Sequence, residues 1–303
     1  MLESYQWIQD VTFPARLYLK TLGVENLTPE ALPDLQEPLL LDGLGRYAIR
    51  HFLQQQGGIA NLDLLLHQLP MGKLKHSTWQ VSQIEQQRLK DRLLNYASEV
   101  TATTQHMWKV NSHVYMNITL PKNSATQWVS LEASSARAKR RAKVWLEYLL
   151  WVAYLNMADG GGNLTRIVVF SDRTIVCQGV SSNQARKWLE HWFEAWKYGQ
   201  TQPLVLPAAL LLKIAEKDKQ HEWQADEHQQ MCIDAMDVIY KDWHEDGKFS
   251  GFSVADNEAC KMHRDWQFIL QEQDATALLE QACKQFSYDL YQPIFLHQRM
   301  AEE

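Results

Sequence analysis

The chain has 303 residues, 46% of them hydrophobic, with 12 tryptophans and a formal net charge of −6. That is ample for a packed core, which excludes wholesale disorder, and the acidic balance confines any DNA contact to a local basic patch. Cys177, Cys232, Cys260 and Cys283 form no CxxC pair, which argues against a zinc cluster and fits reduced thiols in a cytoplasm.

The first residues, MLESYQWIQDVTF, lack the basic start and apolar run of a signal peptide. Phe13 to Leu19 begins a short helix, with Pro14 suited to its first turn. A polar connector from Thr28 to Pro38 leads to Pro38-Leu39-Leu40-Leu41-Asp42-Gly43-Leu44-Gly45-Arg46-Tyr47 and a helix through AIRHFLQQ. Asp42 reads as its N-cap, in preference to a metal ligand. Gly57-Gly58 ends that helix, Asn61 or Asp63 starts another, and Leu69-Pro70-Met71-Gly72 is a loop. Ser82 to Val100 has the pattern of an amphipathic helix.

The stretch from Val110 to Leu155 organises the rest. VNSHVYMNITLP and ATQWVSL read as the two arms of a β-hairpin, its tip at Pro121-Lys122-Asn123-Ser124-Ala125. SSARAKRRAKVWLEYLLWVAYLNMA follows as a helix that is first basic, then apolar. Its apolar run from Trp145 to Leu155 is broken by Glu147 and too short for a bilayer, so no membrane contact is expected.

Gly160-Gly161-Gly162 lacks the Lys and hydroxyl of a phosphate-binding loop and reads as a turn. Arg166 to Phe170 and Thr174 to Cys177, joined by Ser171-Asp172-Arg173, make a further hairpin. Ser181-Ser182-Asn183 caps a helix expected to end at Gly199, carrying Trp188, Trp192 and Trp196 at four-residue spacing. Such a stripe can stack bases, but core packing is its commoner role.

The final hundred residues read as mostly helical. Pro207 starts AALLLKIAEKDK, and Asp226 to His244 is long and amphipathic. Gly247 to Val254 is a loop, Asp256 or Asn257 begins a helix through Ile269, and Thr276 leads a last helix to Tyr291, closed by Pro293. No linker divides the chain, so one domain over 1–303 is expected. It has a helical part to about 100, a hairpin–helix core over about 108–200, and a mostly helical remainder.

A hairpin feeding a helix is how PD-(D/E)xK nucleases are built. The expected fold class is therefore α/β: a PD-(D/E)xK nuclease-like core, a small mixed sheet flanked by helices, with helical additions. The nuclease chemistry needs an Asp on one strand and an acidic residue followed two on by Lys. Here Asn117 is the only residue of that kind on the first strand, and Glu132 is followed by Ser134 where Lys is required. Without a second carboxylate nothing balances Mg²⁺, and without Lys nothing steadies the charge at phosphorus. Cys260-x-x-His263, with His221 and His228 upstream, lacks a second close pair for a metal, and no GxSxG or GxGxxG motif is present. Neither a catalytic nor a metal site is expected.

Arg137, Lys139, Arg140, Arg141 and Lys143 put five cations into seven residues at the start of the central helix. Cations there oppose the helix dipole, at a few tenths of a kcal/mol each. DNA phosphates or an acidic partner would compensate, and these five with Lys122 and Asn123 are the candidate contact residues.

Phe13-Pro14-Ala15-Arg16-x-Tyr18, Pro38 to Leu44 with Arg46-Tyr47, Leu69-Pro70-x-Gly72, Trp145-Leu146-Glu147-Tyr148-Leu149, Gly160 to Phe170 and Leu204-Val205-Leu206-Pro207 occur in that order. This set resembles the C-terminal region of the RecC family, the gamma subunits of the exodeoxyribonuclease V (RecBCD) helicase–nuclease. The resemblance implies a nuclease-like fold that has lost its active site, sits beside the DNA path and helps hold the complex together, including contact with RecD. It implies RecB, RecD and DNA as partners, no cofactor in this domain, and Mg and ATP used by the partner subunits. It also places a larger helicase-like portion and the Chi-reading residues outside this chain. Two readings compete: an active nuclease with a migrated site, using Glu132 with Lys139, and a pure protein-interaction module.

Overall fold

A computed structural model describes residues 2–24, 43–55, 69–70, 72–110, 114–122, 126–155, 164–208, 211–212, 264–270 and 273–301. The fold is mixed α/β, with two small sheets and flanking helices. Asp42, Gly57-Gly58, Asn61, Asp63, Asn123, Gly160 to Gly162, His221, His228, Cys260 and His263 lie outside the described residues, as do the stretches 226–244 and 247–257.

The chain opens with β1 (Leu2–Glu3) and two short helices, α1 (Ser4–Thr12) and α2 (Pro14–Thr21). Pro14 occupies the first turn of α2 as expected, where its missing N–H has no partner to lose. Helix α3 (Gly43–Gln55) packs on α4 (Lys73–Leu94) through a small cluster of Ile49, Leu53, Leu69 and Trp79. Helix α4 begins nine residues earlier than its apolar pattern suggests and stops at Leu94 rather than Val100. Gly72, at a φ of 67°, turns the chain into it, a left-handed conformation that glycine adopts without strain.

The expected hairpin between the Val110 and Ala125 segments does not form. Strand β3 (Tyr115–Pro121) pairs antiparallel with β2 (Thr103–Lys109) and parallel with β1, giving the order β1-β3-β2. Strand β4 (Gln127–Leu131) belongs to the second sheet, ordered β4-β5-β6-β7. There β4 runs parallel to β5 (Thr165–Val169), with α5 (Ala138–Leu155) as the crossover between them. The two sheets touch where the Thr101 N–H donates to the Val129 carbonyl at 2.9 Å.

The hairpin of β5 with β6 (Thr174–Cys177) forms as expected, and β7 (Gln298–Ala301) adds antiparallel to β6. One face of this sheet lies under α5, with Val168, Phe170, Ile175 and Cys177 in the main core. The other face, Val129, Ile167 and Val169, is covered by Leu89 and Leu93 of α4. Strand β5 is thus buried on both faces, as its Ile-Val-Val run requires.

Helix α5 carries the centre of the core: Trp145, Leu146, Tyr148 and Leu149 are fully buried, each adding about 1.5–3 kcal/mol. Helix α6 (Ser182–Thr201) packs on it, and Ser181 and Gln184 close a reciprocal capping box at its start. The tryptophan stripe is core packing. Trp192 is buried and Trp188 lies 5.6 Å, ring to ring, from Trp145. Gly199 does not end α6 but lies inside it, and it is a glycine because a Cβ there would stand 2.9 Å from Leu17 of α2.

After α7 (Arg264–Ile269) and α8 (Ala275–Ala282), a π-helical turn (Cys283–Ser287) runs straight into α9 (Tyr288–His297). Pro293 therefore does not close the last helix. It is buried within α9, where packing outweighs the hydrogen bond it cannot donate. Among the described residues no helix is long and apolar enough to cross a membrane.

Candidate nucleic-acid and partner interface

The carboxyl ends of the parallel strands β4 and β5, with the first turn of α5, form the region to which the sequence-predicted residues point. The loop 132–137 is held by its backbone. Glu132 N–H donates to the Val169 carbonyl at 2.9 Å, and Ser171 N–H donates to the Ser134 carbonyl at 3.0 Å. From behind, Arg50 of α3 donates to the Ala133 carbonyl at 3.2 Å, and Arg92 of α4 donates to the Phe170 carbonyl at 3.0 Å.

Asp172 is a site residue that the sequence pattern did not reveal. Its carboxylate accepts the Ala136 N–H at 2.8 Å, two residues ahead of α5, so a negative charge stands at the positive end of that helix. Part of the compensation that the basic cluster needs is therefore supplied from within the fold.

The five cations divide. Arg137 is exposed and Arg140 half-buried at the helix start. The Lys139 ammonium lies 4.2 Å from the centre of the Phe13 ring, over which the Arg16 guanidinium also sits at 4.9 Å. Lys143 is 3.8 Å from Glu147 and 5.5 Å from the Tyr5 ring. Arg141 is buried, its Nε donating to Gln298 Oε1 at 2.9 Å while Gln298 Nε2 donates back to the Arg141 carbonyl at 3.0 Å. This pair locks α5 to the start of β7. Lys122 is exposed at the end of β3.

Asn117 faces Glu3 and Gln105 across the three-stranded sheet, at 3.4 and 3.5 Å. Glu132 and Ser134 follow β4 in the other sheet. Among the described residues no three His, Cys, Asp or Glu side chains gather as a metal-binding group.

Beneath α5 lies a buried polar set. Arg166 of β5 donates to Glu147 at 2.8 Å and to the Ile167 carbonyl at 3.0 Å, and its guanidinium stacks 4.1 Å from the centre of the Trp128 ring. Burial pushes the Cys177 thiol up to about 12 and raises the Tyr148 phenol as well. Tyr148 donates to the Leu164 carbonyl and accepts the Val180 N–H, both at 3.3 Å.

His297, stacked on Trp145 and tilted against Trp188, is pushed below its ordinary value of 6.5 by burial. The unfolded chain takes up that proton near 6.5 and the folded one resists it, so stability is lost as pH falls through this range. Thermal melts at pH 7.5 and 5.5 are expected to show a smaller acid loss for His297→Phe than for wild type. Equal losses would mean that another group carries the effect.

The model of the RecC C-terminal domain family matches residues 2–219. This chain belongs to that family. RecC is a subunit of exodeoxyribonuclease V, the RecBCD complex of DNA repair, and the match spans both sheets except β7 and the whole candidate interface. A comparison with curated proteins finds no match.

Proposed function

We propose that this chain is a single nuclease-like domain without nuclease chemistry, cytoplasmic, serving subunit assembly and DNA strand guiding in a RecBCD-type complex. The observation that carries the reading is the state of the would-be catalytic positions. Asn117, Glu132 and Ser134 are the residues this chain offers where two carboxylates and a lysine would be needed; Asn117 lies on β3 of one sheet, and Glu132 and Ser134 lie in the loop after β4 of the other. The order helix, strand, strand, strand, helix, strand from α4 to β5, with a parallel crossover, supports a nuclease-like core. RecB, RecD and DNA are the proposed partners, RecD by direct contact, with Mg and ATP used elsewhere in the complex.

The migrated-site alternative pairs Glu132 with Lys139. It is disfavoured because the Lys139 ammonium is seated on Phe13 and a further carboxylate is still required.

Of the basic cluster, the exposed Arg137 and the half-buried Arg140 are the side chains proposed to meet phosphate. Reversing both to Glu is expected to weaken DNA binding by the assembled complex and to flatten its salt dependence, by about one unit of log–log slope for each phosphate no longer neutralised. Unchanged affinity at every salt concentration would favour the pure protein-interaction reading instead.

A further inference from the structure

Among the described residues, strand β2 is an edge with an open side. The bonds Lys122 N–H to Ala102 O (2.8 Å) and Val110 N–H to Val114 O (3.0 Å) bracket its ladder with β3, whose register runs from Thr103 opposite Pro121 to Lys109 opposite Tyr115. In an antiparallel pair, residues that exchange both bonds alternate with residues that exchange none. Thr104, His106 and Trp108 therefore bond to β3, while the N–H and C=O groups of Thr103, Gln105, Met107 and Lys109 point away from the sheet. Thr101, next along this outward row, spends its N–H on Val129 of β4, so the chain already extends the edge by one bridge and then diverges from it.

Exposed edges are usually blunted by proline, bulges or repeated charge. This one, TTQHMWK, has no proline and a single charge at its end. Met107 is 66% exposed on the outer row. On the inner row His106 and Trp108 are half-buried, and Tyr154 of α5 stands with its hydroxyl 3.3 Å from the His106 ring. An arriving strand would meet outward backbone groups in line and the half-open rings of His106 and Trp108.

We propose that β2 is a strand-addition site. Its occupant is an extended segment of another subunit of the complex, proline-free where it pairs and apolar at alternate positions facing His106, Trp108 and Tyr154. The choice of another subunit rests on the assembly reading above; the open edge does not.

Amide hydrogen exchange, read residue by residue, tests it on the chain alone and in the complex reconstituted with the other purified subunits. Thr103, Gln105, Met107 and Lys109 are expected to exchange fast in the chain alone and about 100-fold slower or more in the complex, while Thr104, His106 and Trp108 are slow in both. Met107→Pro removes an outward N–H that the β2–β3 ladder does not use. It is expected to keep the fold, checked by circular dichroism, and to weaken assembly by roughly tenfold or more, whereas Met107→Ala has little effect.

If wild type assembles and the four amides stay fast, the edge is not the docking site and the inference falls while the assembly reading stands. If wild type does not assemble, both fall. Protection already present in the chain alone also overturns the proposal: concentration-dependent protection means a second copy on the edge, and concentration-independent protection means the chain covers it itself.

Discussion

Arg141→Glu is expected to abolish folding, whereas Arg140→Glu, one residue away, is expected to leave stability nearly unchanged. The difference follows from which side of α5 each side chain occupies. Arg141 is 6% exposed; its Nε donates to Gln298 Oε1, and its backbone carbonyl accepts a bond from Gln298 Nε2. Removing a buried, hydrogen-bonded charge costs about 3–5 kcal/mol, and setting an unpaired carboxylate in the same place adds several more. Against a typical domain stability of about 5–15 kcal/mol, that sum removes the folded state. Circular dichroism and thermal melting of the two variants distinguish the cases. A folded Arg141→Glu protein with the wild-type melting temperature would contradict the burial of Arg141. The consequence for function is direct: a double reversal of Arg140 and Arg141 reports on folding, not on DNA, and within the basic cluster Arg137 and Arg140 are the pair whose reversal probes a charged surface.

The second large effect is expected at Arg166. Its side chain is 4% exposed and that of Glu147 19%, so the 2.8 Å pair is largely removed from water. Truncation to Ala strands the Glu147 carboxylate near Lys143 alone, opens a cavity beside Trp128 and removes the guanidinium's bonds to the Ile167 and Trp128 carbonyls. The expected loss is about 3–5 kcal/mol, read as a shift in the urea midpoint. Arg166→Met keeps most of the volume and is expected to recover part of it, since a buried ion pair is seldom worth more than the packing that can replace it. A cost below about 1 kcal/mol for Arg166→Ala would place the guanidinium in solvent, where such pairs contribute little.

Neither arginine reads as buried from its charge, and the signal lies in the period. Arg141 lies four residues before Trp145 and seven before Tyr148, on the buried stripe of α5. A dense run of cations reads as a solvated face and hides that spacing. Arg166 alternates with Val168 and Phe170 along β5 in the same way. The hairpin of β5 and β6 was plain because Ser171-Asp172-Arg173 separates two apolar runs. The pairing of β3 and β4 was misjudged because a short polar loop between two strands usually closes a hairpin. Strand β2 went unseen since neither of its rows is buried: the pattern alternates between exposed and half-exposed, with no apolar row to betray it. The role of Asp172 needed the parallel crossover, which alone brings the β5–β6 turn to the start of α5.

The proposed nuclease-like core is expected to carry no nuclease chemistry. The most direct test is incubation of the purified chain with linear duplex and single-stranded DNA in Mg²⁺ or Mn²⁺. No cleavage above a metal-free control is expected over hours. Metal-dependent digestion that disappears in Glu132→Ala would contradict the account and establish the migrated site.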